Sequence, residues 1–448
     1  MKQQHLTNAI TPCVAAALLG LTATAHAEDI DVQQELRALR AEVNALRAQS
    51  DDTWLSERRA AEVKTLVREV LADADTRASF QGTGLTAGHD GKFFLASEDG
   101  NFRLNLGAHL QVRYIWNNRD NSGEDDNVQG FQLRRAKFKG DGHIFDPRLT
   151  FAFSLAGDRD DPETVFEDYT LGYEFADGLA VTAGRWKQPF ALQEMVSSSR
   201  QLATERSVVH EAFNVGRSEG IGLTYTSERL RGYFTINDGI EASFSDFDEN
   251  TVDVALLGRG ELLLAGEWGQ FKDPGVAWSG DPTGAMLGGA VYYEVGETGS
   301  AADNDNLLRW TADATVESNG FGLLAALYGN HTDNAAGDDF DDFGLLLEGG
   351  YFIVPDKIQP FVRYEMITQD DARADVVNGV SSEHTNILTA GVNWYHYKHN
   401  AKFTFDVVYA LDPINGDFLN PSTGLGLLDD ADGEDGQLSV RLQYQVAF

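Results

Sequence analysis

Period-two alternation of apolar and polar residues, in runs of about ten residues, is the dominant pattern from residue 91 to the end of the chain. The segment 103–114, RLNLGAHLQVRY, has leucine, valine and tyrosine at even positions and arginine, asparagine, histidine and glutamine at odd ones. The segments 148–155, RLTFAFSL, and 402–409, KFTFDVVY, repeat the scheme. Such alternation predicts β-strands with one apolar and one wet face.

The length of these runs separates two all-β architectures. Strands of soluble proteins average about five or six residues, whereas a tilted strand needs about ten to cross a bilayer. Aromatic pairs lie near the predicted strand ends, as in the interfacial girdles of membrane barrels: Tyr114 and Trp116, Tyr173 and Phe175, Trp394 and Tyr395. We therefore expect the apolar faces to contact lipid and the charged faces to line a lumen.

The connections predict the number of strands, because tight turns alternate with longer acidic loops. Sixteen strands are expected, with starts near residues 101, 130, 147, 164, 179, 218, 230, 251, 261, 305, 321, 342, 358, 385, 401 and 436. The run 284–295 would make the count odd, so it is assigned to a long external excursion over 271–304. A sixteen-stranded barrel leaves an aqueous channel. The final strand, which alternates up to Phe448, should pair with the first and leave no edge in lipid.

The N-terminal residues predict export. Lys2 precedes an apolar run that ends in Ala25-His26-Ala27, the layout of a secretory signal over 1–27. Cys13, the only cysteine, lies inside it. After Ala27 no stretch reaches the roughly 18 apolar residues of a membrane helix, which excludes a helical inner-membrane protein. The net charge of −35, or −36 without Lys2, argues against nucleic acid as a partner.

Helical periodicity occupies residues 28–78. Val32, Leu36, Leu39, Val43 and Leu46 step by four and three, which predicts a short periplasmic coiled-coil helix. A single amphipathic helix on a neighbouring surface is the alternative. A linker and short hairpin over 79–100 and the transmembrane β-barrel over 101–448 complete the predicted organisation.

Five stretches resemble the phosphate-selective porin O/P family of outer-membrane channels. They are LGAHLQ in the first strand, LRRAKFKGDG in the second, GRWKQPFALQEMVSSSRQLATERS after the fifth, TAGVNWY, and the terminal RLQYQVAF. The resemblance implies a trimer of sixteen-stranded barrels and a third external loop folded into the pore. It also implies an assembly signal in Tyr444 and Phe448, of which the terminal aromatic is read by the barrel-assembly machinery.

The same resemblance implies an anion path. The paired arginines of the family's ladder match Arg134 and Arg135, while its first-strand arginine is His109 here, its eyelet lysine falls on Glu194 or Met195, and 271–304 offers only Lys272. Strand alternation places further cations on the same wall. The predicted pore-lining set is Arg103, His109, Arg113, Arg134, Arg135, Lys137, Lys139, Arg148 and Arg185. The predicted constriction loop contributes Lys187, Glu194, Arg200, Glu205, Arg206 and Arg217.

Together these patterns predict an outer-membrane porin for passive diffusion of small ions and solutes, with weak anion preference and with phosphate or polyphosphate as candidate solutes. Basic wall residues outnumber Asp168, Glu194 and Glu205. Expected partners are outer-membrane lipid and lipopolysaccharide, the barrel-assembly machinery and two further copies of the chain; no cofactor or metal is expected. A structural tether and a barrel enzyme are the alternatives, although the sequence has no H-E-x-x-H signature.

Overall fold

The computed structural model describes residues 37–38, 40–42, 84–119, 127–157, 164–240, 252–296, 305–334, 338–370, 384–414, 424–428 and 436–448. The chain divides into Met1–Thr83, where residues 37–38 and 40–42 are helical, and Gly84–Phe448. The predicted signal peptide and most of the predicted coiled coil lie outside the described residues. In the part that is described, no helix is long and apolar enough to cross a membrane.

The described residues of the second unit form eighteen strands and two short α-helices. The strands are β1 Leu85–His89, β2 Phe93–Ser97, β3 Arg103–Asn118, β4 Asn127–Ile144, β5 Asp146–Gly157, β6 Thr164–Ala176, β7 Leu179–Lys187, β8 Arg217–Thr226, β9 Leu230–Asn237, β10 Val254–Ala265, β11 Gly284–Val295, β12 Asn306–Ser318, β13 Phe321–Asp333, β14 Phe340–Tyr351, β15 Ile358–Thr368, β16 His384–Tyr397, β17 Ala401–Ala410 and β18 Leu438–Ala447. The helices are α1 Leu192–Met195 and α2 Val208–Phe213, and Gln270–Lys272 form a 3₁₀ turn.

Strands β3 to β18 close into a sixteen-stranded antiparallel barrel, which confirms the predicted fold. Each strand pairs with the next, and β18 pairs with β3 over Leu438–Ala447 and His109–Asn118. The hairpin β1–β2 lies beside the closure, because β2 pairs with Arg103–Leu106 of β3, where β18 has already ended. The ladder of β3 is thus occupied along nearly its whole length.

The two faces of the barrel wall have the predicted inverted polarity. Along β3, Leu110 and Val112 point outward and are nearly half exposed, whereas His109, Gln111 and Arg113 point inward and are at most 3% exposed. The prediction of an outward-facing aromatic girdle is wrong for one residue, Tyr395. Trp394 faces outward, but its neighbour Tyr395 faces the lumen and is buried, because adjacent residues of a strand point to opposite faces.

The sequence predicted the number of strands correctly and misplaced two of them. The expected strands near 251 and 261 are the single strand β10, and the run 284–295, expected in an external excursion, is β11. The sequence Gly258-Arg259-Gly260-Glu261 has the composition of a turn. It stays extended, since Arg259 points into the lumen and binds Asp313 of β12 with its Nη1 2.8 Å from Oδ2.

Connections at the two ends of the barrel differ in length. At the end where β3 begins, here called the turn end, β12 and β13 are joined by Asn319 and Gly320 with φ of 50° and 83°, the signature of a tight type I′ hairpin turn. The connection 266–283 between β10 and β11 is the long exception there. Its Gly275 carbonyl accepts a hydrogen bond of 3.0 Å from the lumenal side chain of Gln359. The segment therefore folds into the lumen.

Candidate functional site: a basic passage beside an inserted loop

Residues 188–216, between β7 and β8, form an inserted loop that crosses the barrel lumen. Wall side chains from distant strands donate hydrogen bonds to its carbonyl groups: Lys402 Nζ to Gln201 (2.6 Å), Asn393 Nδ2 to Leu202 (2.8 Å), Arg259 Nη1 to Phe190 (3.0 Å) and Gln445 Nε2 to Ser199 (2.7 Å). These donors stand on β17, β16, β10 and β18. The loop is fixed around much of the wall.

Local sequence determines how the inserted loop folds. Ser207 caps α2, because its hydroxyl accepts a hydrogen bond of 2.8 Å from the backbone N–H of His210. One face of α2 is apolar: Val209 and Phe213 are buried, and Phe213 stacks on the lumenal Tyr328 with ring centroids 5.8 Å apart. The helix is held by a cap at its start and by packing against β13.

Glu205 anchors the loop to the wall of β3 and β4. Its carboxylate is 1% exposed and receives Nη2 of Arg113 at 3.0 Å, Nε of Arg134 at 2.8 Å and both terminal nitrogens of Arg135. Burial favours the neutral acid, but the three arginines together hold the pKa of the Glu205 carboxyl well below its usual range. The predicted ladder arginines therefore form a buried cluster around one carboxylate.

A β-bulge explains how two consecutive arginines reach the lumen. In the β3–β4 register Arg135 is opposite Gln111 and Leu133 is opposite Val112, which leaves Arg134 as the extra residue. Simple alternation would turn Arg134 toward lipid. The bulge re-aims its side chain inward, and both arginines bind Glu205.

A second bulge, on β6, lets two consecutive acidic residues, Glu167 and Asp168, both reach the lumen. Ser154 is opposite Asp168 and Leu155 opposite Phe166, so Glu167 is the extra residue. Glu167 binds Lys137 through both carboxylate oxygens, and Asp168 accepts from Nε of Arg217 at 2.8 Å. These acids neutralise part of the predicted basic wall. Sequence reasoning missed Glu167, because a bulge leaves no period-two signal.

Glu194 organises a third charged cluster within the loop. Its carboxylate lies 3.2 Å from Lys187 Nζ, 3.3 Å from Arg206 Nε and 3.0 Å from His210 Nε2. Burial opposes ionisation, yet the charges of Arg206 and Lys187 hold the pKa of Glu194 well below its usual range. Burial also lowers the pKa of His210 to about 4, so this imidazole is neutral at physiological pH.

A cavity of about 700 Å³, here the loop-side cavity, lies between the inserted loop and strands β4 to β8. Its ionisable lining includes eight basic residues: Arg134, Arg135, Lys137, Lys139, Arg185, Lys187, Arg206 and Arg217. Four acidic residues line it as well: Glu167, Asp168, Glu194 and Glu211. Positive groups thus outnumber negative groups two to one.

A second cavity of about 470 Å³, here the turn-side cavity, lies beyond the inserted loop toward the turn end. Both cavities are lined by Lys139, Met195 and Ser197. The two cavities therefore adjoin at these residues, and together they are here called the passage. Arg200 and His109 line its turn-side part.

The wall on the opposite side of the lumen carries buried ion pairs. Buried ion pairs join neighbouring inward side chains there, namely Arg259 with Asp313, Arg363 with Glu348, and Arg441 with Asp406. Segment 266–283 covers this wall from the turn end. Beside this segment lies a third cavity of about 780 Å³, which shares Arg200, Lys272 and Asn400 with the turn-side cavity.

Two predicted pore residues lie at the rim of the barrel instead. Arg103 stacks over Phe94 of β2 at 4.3 Å. Arg148 pairs with Asp146 at 2.7 Å, and its side chain is 55% exposed. Neither contributes to the lining of the two cavities. The two residues of the predicted assembly signal, Tyr444 and Phe448, face outward and are 44% and 50% exposed.

Comparisons with known proteins agree with this geometry. The family model of "phosphate-selective porin O and P" matches residues 102–411. An uncharacterized protein of Aquifex aeolicus is 24% identical over 290 residues, which cover 60% of this chain and 64%, less than two thirds, of that relative.

Solved porins share the fold at low sequence identity. The anion-selective porin of Comamonas acidovorans has a TM-score of 0.52 and 14% identity, and the match covers 77% of this chain and 99% of that one. OmpT of Vibrio cholerae has a TM-score of 0.51 and 11% identity, and the match covers 77% of this chain and 97% of that one. OmpF of Salmonella typhi, solved with daunomycin, has a TM-score of 0.51 and 13% identity, and the match covers 80% of this chain and 100% of that one. With a closed barrel, a charged lumen and a family match over most of its length, the chain belongs to the phosphate-selective porin O and P family of outer-membrane channels.

Proposed function

We propose that the protein provides a water-filled route for passive diffusion of small ions and solutes across the outer membrane, with a weak preference for anions. One observation supports this most directly: the loop-side cavity is lined by twice as many basic as acidic residues. The anion-selective Comamonas porin has the same fold.

The total charge of the chain does not set this preference. The chain has 70 acidic and 35 basic residues, which alone would favour cations. Charges farther away than a Debye length of about 8 Å at physiological salt are largely screened from the passage. The side chains that line the passage therefore dominate the field on a permeating ion.

Tight phosphate binding is not part of the proposal. Several passage cations are already engaged, since Arg134 and Arg135 bind Glu205, Lys137 binds Glu167, and Arg217 binds Asp168. Stripping a strongly hydrated anion requires several convergent free donors. Partly neutralised cations attract a permeating anion without binding it so tightly that it cannot leave, as a conducting channel requires.

Insertion of the purified protein into a planar bilayer tests the proposal. Stepwise ionic conductance is expected, with chloride more permeant than potassium. A membrane that stays insulating after verified insertion would contradict the channel and favour a tether or an enzyme.

We further propose a homotrimer whose outward faces contact outer-membrane lipid and lipopolysaccharide, with the turn end and residues 28–78 in the periplasm. Support comes from the short connections at the turn end, which are periplasmic in barrels of this kind, and from the helical heptad pattern of the N-terminal sequence. Deletion of 28–78 should leave the barrel intact and weaken the trimer on native gels. An unfolded barrel after this deletion would contradict the proposed division.

A further inference from the structure

The two halves of the passage differ in chemistry. The loop-side cavity is lined mainly by charged and polar groups. In the turn-side cavity, an apolar wall stands beside the cations. It consists of Leu192, Met195, Val196, Trp268, Phe271 and Met286.

Three cations of the turn-side cavity are available to a solute. Lys139, Arg200 and Lys272 line it, and no described carboxylate lies within 4.0 Å of their charged nitrogens. The two carboxylates in the same lining are paired with other cations, Asp141 with Lys92 and Glu261 with Arg259. His109 adds a polar group to the same lining. It is 3% exposed, and neither ring nitrogen has a hydrogen-bond partner among the described residues. Unlike the arginines around Glu205, these groups have hydrogen-bonding capacity to offer.

The apolar wall is held in place. The indole Nε1 of Trp268 donates to the Ser227 carbonyl at 2.9 Å, and the Arg231 guanidinium lies 4.1 Å from the centre of the indole ring. Leu192, Val196, Phe271 and Met286 are at most 6% exposed and support the wall from behind, whereas Met195 and Trp268 are partly exposed. A solute would therefore meet a preformed surface, and its binding would not have to offset the entropy cost of ordering these side chains.

We propose that the turn-side cavity is a transit site for organic anions that carry an apolar or aromatic body, such as aromatic carboxylates, in preference to inorganic phosphate. The carboxylate meets Lys139, Arg200 and Lys272, while the body of the solute leaves water against the apolar wall. Inorganic phosphate gains nothing from that wall and would lose hydration beside it. This inference rests on the proposed channel function, which it refines by naming a solute class.

Competition with the chloride current tests the site. Benzoate, acetate and inorganic phosphate are added at equal ionic strength, and the half-blocking concentration of each is measured on single channels. Benzoate should block at a concentration about ten-fold lower than acetate, because part of its ring leaves water. Phosphate should require at least as high a concentration as acetate.

Substitutions locate the effect. Met195→Gln and, independently, Trp268→Ser should remove most of the benzoate advantage over acetate. Lys272→Gln should weaken the block by both carboxylates and leave their ratio unchanged. Arg148→Gln, at the exposed barrel rim and outside the lining of the turn-side cavity, is the matched control and should behave as wild type.

The outcomes separate the two proposals. Chloride current with equal block by benzoate and acetate would overturn the organic-anion site and leave the channel standing. The organic-anion site is also overturned if phosphate blocks more strongly than benzoate, or if the benzoate advantage survives both Met195→Gln and Trp268→Ser. Absence of any ionic current would overturn both proposals.

Discussion

Phe448 and Ala108 exchange two backbone hydrogen bonds, one in each direction, with N···O distances of 3.0 Å. The last residue of the chain is thus bound within the ladder of the first barrel strand. Its ring meets Phe93 of the β1–β2 hairpin edge-on, with centroids 5.8 Å apart. A chain end normally frays. Here Phe448 is held by the backbone of β3 and by the side chain of Phe93.

Replacing Phe448 with Asp should impair assembly more than stability. The side chain is 50% exposed, so its loss from the folded barrel should cost only about 1 kcal/mol. We expect most of the variant to accumulate unassembled in the periplasm, because the terminal aromatic is the proposed recognition signal. Heat-modifiable migration of outer-membrane fractions measures the inserted share.

Phe448→Tyr keeps an aromatic terminus and should insert normally. The fraction of Phe448→Asp that does insert should unfold close to the wild-type temperature. Normal insertion of Phe448→Asp would contradict the proposed recognition.

Glu205→Gln should destabilise the attachment of the inserted loop. Three arginines would lose their shared negative partner, and breaking a buried charge cluster costs about 3 kcal/mol or more. The unfolding temperature of the barrel should fall. Adding Arg135→Gln should recover part of the loss, because less positive charge is left uncompensated. Strictly additive effects of the two substitutions would show that Glu205 and Arg135 are not coupled.

Selectivity should depend on pH near neutrality. Burial and the nearby Glu205 carboxylate raise the pKa of Glu211 to about 7, against the opposing effect of Arg206. Glu211 therefore loses its negative charge as pH falls, and about 90% of it is protonated at pH 6 against about 10% at pH 8. The passage then becomes more positive. Chloride preference should rise from pH 8 to pH 6.

Glu211→Gln should reduce that pH dependence and shift the preference at pH 8 toward its acidic value. Glu228→Gln, at an exposed turn, serves as the control and should titrate as wild type. His210 does not account for the expected change, since its pKa of about 4 keeps it neutral over this range. An unchanged pH profile in Glu211→Gln would exclude this carboxyl as the titrating group.

Segment 266–283 should narrow the lumen at the turn end. Trp278 is 7% exposed, donates from Nε1 to Asp273 at 2.7 Å, and packs edge-on against Tyr395 with ring centroids 5.0 Å apart. Trp278→Ala should destabilise the barrel by about 3 kcal/mol and increase single-channel conductance. Trp394→Ala removes an outward-facing tryptophan next to Tyr395 and should leave conductance unchanged. Equal conductance in wild type and Trp278→Ala would contradict the narrowing role.

The fold was predictable because alternation and closure constrain the whole chain at once. The error at β10 and β11 had a local cause, since Gly258-Arg259-Gly260-Glu261 has turn composition. It is held extended by pairing with β9 and β11 and by the ion pair of Arg259 with Asp313, 54 residues farther along the chain. An even strand count survived the error because closure requires it. Periodicity alone could not have resolved the two strands.

The candidate site was predictable in its residues and less so in its contacts. Arg135 and Lys137 follow from alternation on β4. Their acidic partners do not, because Glu205 comes from the inserted loop and Glu167 from a bulge. Bulges and long-range ion pairs depend on tertiary packing, which leaves no periodic trace in a sequence. Which cations are paired and which are free could therefore be determined only from the structure.

The preference of the passage for anions can be read from the reversal potential across a potassium chloride gradient. The sign of the wild-type potential should show chloride moderately more permeant than potassium, because basic side chains outnumber acidic ones around the loop-side cavity. The double variant Arg135→Glu, Lys137→Glu should shift the potential toward potassium, whereas Arg148→Glu at the barrel rim should change it little. A wild-type channel that strongly prefers potassium, or a double variant with an unchanged potential, would contradict an anion-preferring passage along this wall.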